Sequence, residues 1–389
     1  MQASSAPFEV LIAGGGIAAL EASLALREHA GDRVQITWLA PGAEFRYRPT
    51  RVGEPFGHPR AQAHPLAAIA ADLRLLHHAD RLSWVDTGSR QVHTEAGRAF
   101  GYDALLLALG ARQHAAMSHA LTLDPDRLDD QLHGVVQDLE GGWIRSIAFI
   151  VPATPAWPVP LYELALMSAA RAYESYADTT VTLITPENRP LAIFGDVASD
   201  AVSQLLSERR INIIAAAHAA VHTAGTVTLY PEHRQIRAER IVTLPELHGP
   251  AVPGIPRRGD HGFVMVDRHG RVAGLERVFA AGDIVDGPVK HGGLAAQQAD
   301  AAAESIAALA GLPIEPRGLV PTLQATLWDG ERSLYLQARL TGTRGSESRA
   351  GRTPPWQPAG KVHARLLGPY LAARAGDAAP MTVESAASG

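Results

Sequence analysis

The chain has 389 residues, 46% of them hydrophobic and 19% charged, with a formal net charge of −5. That length exceeds one compact core and fits two or three domains, and neither the charge balance nor any basic cluster points to nucleic acid. The absence of cysteine excludes disulfides, thiolate metal sites, iron–sulfur clusters and any thiol relay.

No apolar run approaches the ~20 residues of a membrane span. The start, MQASSAPF, lacks the charged and apolar regions of a secretory signal. A cytoplasmic protein is expected. Val10 to Ala13 is a short apolar run suited to a buried parallel strand. Gly14, Gly15 and Gly16 follow, then Ile17, Ala18 and Ala19, then a helical pattern through Leu20, Leu24 and Leu26. This is the spacing of a dinucleotide-binding turn. Gly14 lets the chain leave the strand tightly. Gly16 leaves room for a pyrophosphate. Ala19 takes the third small position, where helix and strand pack closely. The helix start aims free N–H groups and a positive dipole end at the phosphates.

The second strand is expected at Val34 to Leu39. A ribose-gripping carboxylate usually ends that strand. Here Ala40, Pro41 and Gly42 follow, and Glu44 is the nearest acid. His77 and His78 fit a strand or helix edge. The 17 histidines show no HExxH spacing, so no metal site is expected. Tyr102 to Ala111, YDALLLALGA, is a further apolar run ending in glycine. Ala115 to Gly142 reads as a connection carrying one helix.

SIAFIV, from Ser146, is strand-like, but no second glycine fingerprint follows it. Pro152, Pro155, Pro158 and Pro160 have no N–H to offer a phosphate. Trp157 fills space that a pyrophosphate would need. The helix LYELALMSAA, the strand VTLITPE and the run ASDAVSQLLSERRINII complete a Rossmann-like half-domain. Glu187 reads either as a ribose carboxylate or as an exposed loop residue. Pro245 to Pro256 marks a return linker. HGFVMVDRHGRVAGLERVFAAGD reads as a hairpin and a strand leading to Gly282 and Asp283. Lys290, His291, Gly292 and Gly293 precede an alanine-rich helix, Leu294 to Ala310. From Pro321, two alternating runs joined by Asp329 and Gly330 give a hairpin signal. Gly342 to Pro355 reads as loop or disorder. A short helix is expected from about Ala359 to Leu367, cut short by Pro369. Its Lys361, His363 and Arg365 are compatible with an interfacial helix, so peripheral membrane contact stands beside soluble packing or a dimer contact.

VLIAGGGIAALEA, YDALLLALGA and VFAAGDIV together resemble the pyridine nucleotide–disulfide oxidoreductase superfamily, flavoproteins with two dinucleotide-binding domains. FRYRPTRVGEPFG (Phe45 to Gly57) and PVKHGGLAAQQADAAAESI (Pro288 to Ile306) are similar to its branch of sulfide:quinone oxidoreductases, flavocytochrome c sulfide dehydrogenases and type II NADH dehydrogenases. The resemblance runs from about Val10 to about Tyr370. It implies an α/β fold of the glutathione-reductase type with tandem Rossmann-type domains. An FAD domain would comprise 1–114 and 257–320. An NAD(P)-like domain with a degenerate fingerprint would comprise 115–256. A small C-terminal α+β domain would comprise 321–389.

The resemblance also implies roles for residues. FAD would lie on Gly14 to Ala19, with Ala40 and Glu44 near its ribose and Leu82 near its adenine. Arg48 and Pro49 would run by the isoalloxazine edge. Ala108, Leu109, Gly110 and Ala111 would close the strand where the chain leaves the FAD domain. Gly282 and Asp283 would lie beneath the flavin. Lys290, Gly292, Gly293 and Leu294 would face its N1–C2=O edge, where cation and dipole favour reduction. Lys290 and His291 are the catalytic candidates, and Trp157 and Trp328 the substrate candidates. The expected function is FAD-dependent oxidoreduction, with electrons passing directly between flavin and small-molecule donor and acceptor, a quinone among them. Two rivals are a type II NAD(P)H:quinone oxidoreductase and a non-catalytic flavoprotein acting as a docking module. A monomer or a homodimer is expected.

Overall fold

The computed structural model describes residues 7–153, 156–342, 344–357 and 360–374. Pro155, Ala359 and the end of the chain from 375 lie outside the described residues. Two five-stranded sheets organise the chain. The first orders Val278–Ala280, Ala104–Leu107, Phe8–Ala13, Val34–Leu39 and Leu76–His78. Every neighbouring pair in it is parallel. Parallel strands covered on both faces need near-continuous apolar runs, and VLIA and ALLL supply them. Phe8–Ala13 has its successor Val34–Leu39 on one side and the later Ala104–Leu107 on the other. That reversal is a topological switch point, where open α/β sheets bind ligands beyond the strand ends. Helices Ile17–Ala30 and Gly292–Leu309 pack against one another. Their contact is built from small residues such as Ala18, Ala22, Ala295 and Ala299, which lets the two axes approach.

The second sheet orders Leu121–Thr122, Arg240–Thr243, Ser146–Ile150, Thr180–Ile184 and Asn212–Ile214, again parallel throughout. Helices Leu128–Glu140, Val159–Glu174 and Asp196–Glu208 belong to the same part of the chain. The chain crosses between the sheets through Arg112–His114 and returns through Glu246–His248. These two segments pair antiparallel as a short ribbon. His77 and His78 fall on Leu76–His78, the edge strand of the first sheet.

The C-terminal part departs from expectation in two places. Thr322–Trp328 and Ser333–Thr341 form the expected antiparallel hairpin. Arg344–Gly351, expected as loop or disorder, is its third strand. This strand carries almost no apolar residues, so periodicity gives no sign of it. Its pairing comes from the backbone, and Ser348 Oγ accepts the Ala198 N–H at 3.0 Å. The terminal helix is Leu367–Arg374, not a segment ending at Leu367. Pro369 is its third residue. The first N–H groups of a helix have no intrahelical partner, so proline does no harm there. Glu21, buried in the first helix, accepts the Leu366 and Leu367 N–H groups at 2.8 and 2.6 Å and fixes this helix to the first sheet. Among the described residues no helix is long and apolar enough to cross a membrane.

Candidate active site

A cleft of about 840 Å³ opens at the switch point of the first sheet. Its floor is Gly14, Gly15 and Gly16. Gly14 has φ +131°, and a Cβ there would stand 2.1 Å from the Ala108 carbonyl oxygen, so glycine is required. Gly16 is the helix N-cap and brings no side-chain cap, and the first turn carries no acid. The first intrahelical bond runs from the Leu20 N–H to the Gly16 carbonyl at 3.1 Å. The N–H groups of Ile17, Ala18 and Ala19 are therefore left to whatever lies beyond the helix start. Arg46, Arg48, Arg81 and Arg112 also line the cleft. An uncapped helix end and a glycine turn in a cleft of this size, with arginines in its wall, fit a dinucleotide with its pyrophosphate at Gly16.

A second cavity, of about 430 Å³, adjoins the first. The two share Arg48, Pro49, Leu109, Gly110, Ala111, Asp283 and Gly292. Besides Val52, Lys290 and His291 from the first sheet's part, its wall draws on three further places. The second sheet's part supplies Trp157, Pro160, Glu163 and Leu164. The ribbon supplies Gln113 and Leu247, and the C-terminal part supplies Ala325, Thr326, Lys361 and Val362. Most of these side chains are apolar, with a few polar groups converging.

Those polar groups are strongly perturbed. His291 caps the helix Gly292–Leu309, its Nδ1 accepting the Leu294 N–H at 3.3 Å. Burial pushes it down to about 3, so it is neutral and its proton sits on Nε2. Its ring stacks on Trp157 at 4.0 Å. Lys290 is buried, donates to the Val285 carbonyl and lies 3.5 Å from the Phe263 ring centre. Burial lowers it to about 8, against the pull of Asp283 and Asp286. It is not a solvated lysine. Burial raises the Asp283 carboxyl, while Lys290 and Arg48 act the other way. Glu163, buried, and Lys361, half-buried, form an ion pair on the cavity wall. Glu163 Oε1 also accepts the Trp328 N–H at 2.8 Å, and Lys361 Nζ donates to the Thr326 carbonyl at 3.0 Å. Burial brings Lys361 down to about 7.

Gly14, Gly15, Gly16, Ile17, Ala18, Ala40, Glu44, Leu82, Ala108 and Gly282 line the cleft, together with the shared residues above. Lys290, His291 and Trp157 line the second cavity. Ala19 and Leu294 lie behind the walls, packed in the core. Gly293 sits one residue inside the helix and lines neither space. Trp328 also lines neither: its ring meets His58 edge-on at 5.6 Å. Ala40 is buried, and Glu44 is tied to Arg46 at 3.0 Å. Arg48 clamps Asp126 through bonds of 2.9 and 2.7 Å. Glu187 is half-buried and accepts the Ile193 N–H at 3.2 Å, so it closes its own loop. Of the residues expected on an interfacial helix, Lys361 is turned inward onto Glu163, while Arg365 stays exposed and pairs with Asp300 and Glu28 at the surface.

Sequence reasoning missed the Glu163–Lys361 pair. Its members are 198 residues apart. One signal was available: Glu163 is the only charge in the apolar run VPLYELALM.

No protein-family model matches the chain, and neither does any curated protein. Solved structures do share its architecture. Sulfide:quinone oxidoreductase from the hyperthermophilic bacterium Aquifex aeolicus superposes with a TM-score of 0.78 at 19% identity, over 89% of this chain and 87% of that one. A ferredoxin reductase from Rhodopseudomonas palustris gives 0.62 at 19% identity, over 85% and 82%. An NAD-dependent persulfide reductase from A. fulgidus gives 0.62 at 18% identity, over 85% of this chain and 64% of that one. The chain therefore has the fold of the flavoproteins with two dinucleotide-binding domains. At such identity the likeness carries the fold and nothing finer.

Proposed function

We propose that the chain is an FAD-dependent oxidoreductase that passes electrons directly between flavin and a planar, largely apolar small molecule of the quinone class. The observation that carries this reading is the shared wall of the two cavities, from Arg48 to Gly292. A dinucleotide seated with its pyrophosphate at Gly16 would extend to that wall and present its far end to the second cavity. We assign the FAD domain to 1–114 and 257–320, and a domain with no working nicotinamide site to 115–256.

When bound, FAD supplies a ring that takes up and releases electron pairs. The chain's own groups supply charge and protons around it. Lys290, positive below about pH 8, favours negative charge at the cavity edge. His291 offers Nε2–H as a neutral donor. Reduction of a quinone consumes two protons with its two electrons. Lys361, which burial makes readier to give up its proton while contact with Glu163 holds its charge, is the proton-bearing group on the cavity wall. No thiol can intervene, because the chain has none.

The test has two parts. Denatured protein should release FAD; failure to do so removes the whole reading. Photoreduced protein should be reoxidised by a water-soluble quinone at least about tenfold faster than by dioxygen. Equal rates would make an oxidase or a protein electron partner the better assignment.

A further inference from the structure

We propose that Glu246, His248 and His261 bind one divalent transition-metal ion of the zinc class, on the outer face of the ribbon joining the two sheets. The proposal stands apart from the oxidoreductase reading and rests on different residues.

Glu246 and His248 flank Leu247 in the strand Glu246–His248. Side chains alternate along a strand, so the two ligands share the face opposite Leu247. Leu247 lines the second cavity, which places the pair on the far side of that wall. The chain returns to the same place at His261. There the Gly249 N–H donates to the His261 carbonyl at 2.8 Å. Only glycine permits this approach, since a Cβ on residue 249 would stand 2.2 Å from the Gly262 carbonyl oxygen.

Glu246 Oε1 lies 3.2 Å from His248 Nε2 and 3.5 Å from His261 Nδ1. All three ligand atoms lie within 4.8 Å of one another. Bonds of about 2.0–2.1 Å to a tetrahedral ion imply ligand–ligand edges of about 3.3 Å. The two observed edges bracket that length. His261 Nδ1 is also buried and makes no hydrogen bond. A buried ring nitrogen without a hydrogen-bond partner, 3.5 Å from a carboxylate oxygen and beside a second imidazole, is an arrangement that a cation would complete. Two imidazole nitrogens and one carboxylate oxygen suit zinc and its neighbours in the first transition row, with a fourth position left to water. Bound there, the ion would tie the returning strand to the turn after it and stiffen the wall that carries Leu247.

The experiment uses untagged full-length protein, stripped with a chelator and titrated with Zn²⁺ by calorimetry. One site per chain is expected. His248→Ala and His261→Ala should each weaken it by more than the ~10–100-fold that loss of an outer partner costs. The control His222→Ala, on a separate strand, should leave it unchanged. Co²⁺ added to the unmutated protein should give the intense visible bands of four-coordination. Zn²⁺ should also raise the melting temperature of that protein. Absence of a one-to-one site overturns the proposal. So does a weak six-coordinate Co²⁺ spectrum, or equal affinity in the folded variants. If the alanine variants fail to fold, the Co²⁺ spectrum and the melting shift of the unmutated protein decide the question.

Discussion

At Gly16 a side chain would meet no atom within 4 Å, because it would point into the space between the uncapped helix start and the arginines. Gly16→Glu should therefore fold and yet lose its flavin, since bulk and negative charge would occupy the pyrophosphate position. Flavin absorbance of the purified variant checks this, and full occupancy would mean the phosphates sit elsewhere. Lys290 makes a subtler contribution. Its charge persists up to about pH 8 in the folded protein, because burial disfavours it while Asp283 and Asp286 support it. The flavin midpoint potential should show an extra downward break as pH rises through about 8. Lys290→Met should lower the potential below that pH and abolish the break. Spectroelectrochemical titration from pH 6 to 9.5 reads both effects, and a potential indifferent to the substitution would place the flavin edge away from Lys290.

At the scale of elements, two connections decide what the chain can do. The connection after Ser146–Ile150 carries Pro152, then Trp157 stacked on His291, then Pro158 as the helix N-cap and Pro160 in the first helical turn, and none of these prolines has an N–H to offer a phosphate. NADH and NADPH should reduce the flavin slowly or not at all in stopped-flow mixing. Rapid reduction at micromolar NADH would favour the type II dehydrogenase reading. The other connection is the terminal helix, held by Glu21. Burial raises that carboxyl from 4.5 to about 7 in the folded state. Its contribution to stability is then fully present below about pH 4.5 and is lost as pH rises through about 7. Glu21→Gln keeps the shape, but turns an amide NH₂ toward one of two backbone donors, at a cost of about 1–3 kcal/mol. Urea unfolding should show the deficit of Glu21→Gln shrinking between pH 5 and pH 7.5. These elements also show where sequence reading succeeds. Glycine turns and continuous apolar strands announce themselves because backbone geometry restricts which residues can serve. Arg344–Gly351 and the Glu21 anchor do not, since one depends on backbone pairing and the other on a contact 345 residues distant in the chain.

At the scale of the molecule, the second cavity belongs to no single part. The first sheet gives Asp283, the helix Val159–Glu174 gives Glu163 and Leu164, the ribbon gives Leu247, and the C-terminal part gives Ala325 and Lys361. No local pattern encodes such a space, so nothing in the sequence tells that Trp157 lines it and Trp328 does not. A cavity assembled this way can be narrowed without touching the cofactor cleft. Leu247 is half-buried, lines only the second cavity, and sits on the short two-stranded ribbon. Leu247→Trp should keep its FAD and lose at most about 1–3 kcal/mol of stability. Dithionite, small and indifferent to the cavity, should still reduce it at the original rate. Quinone reoxidation should fall by at least about tenfold, while reoxidation by dioxygen should change little. If the quinone rate survives with the cavity narrowed, electrons leave the flavin by another face, and the second cavity is not where the acceptor binds.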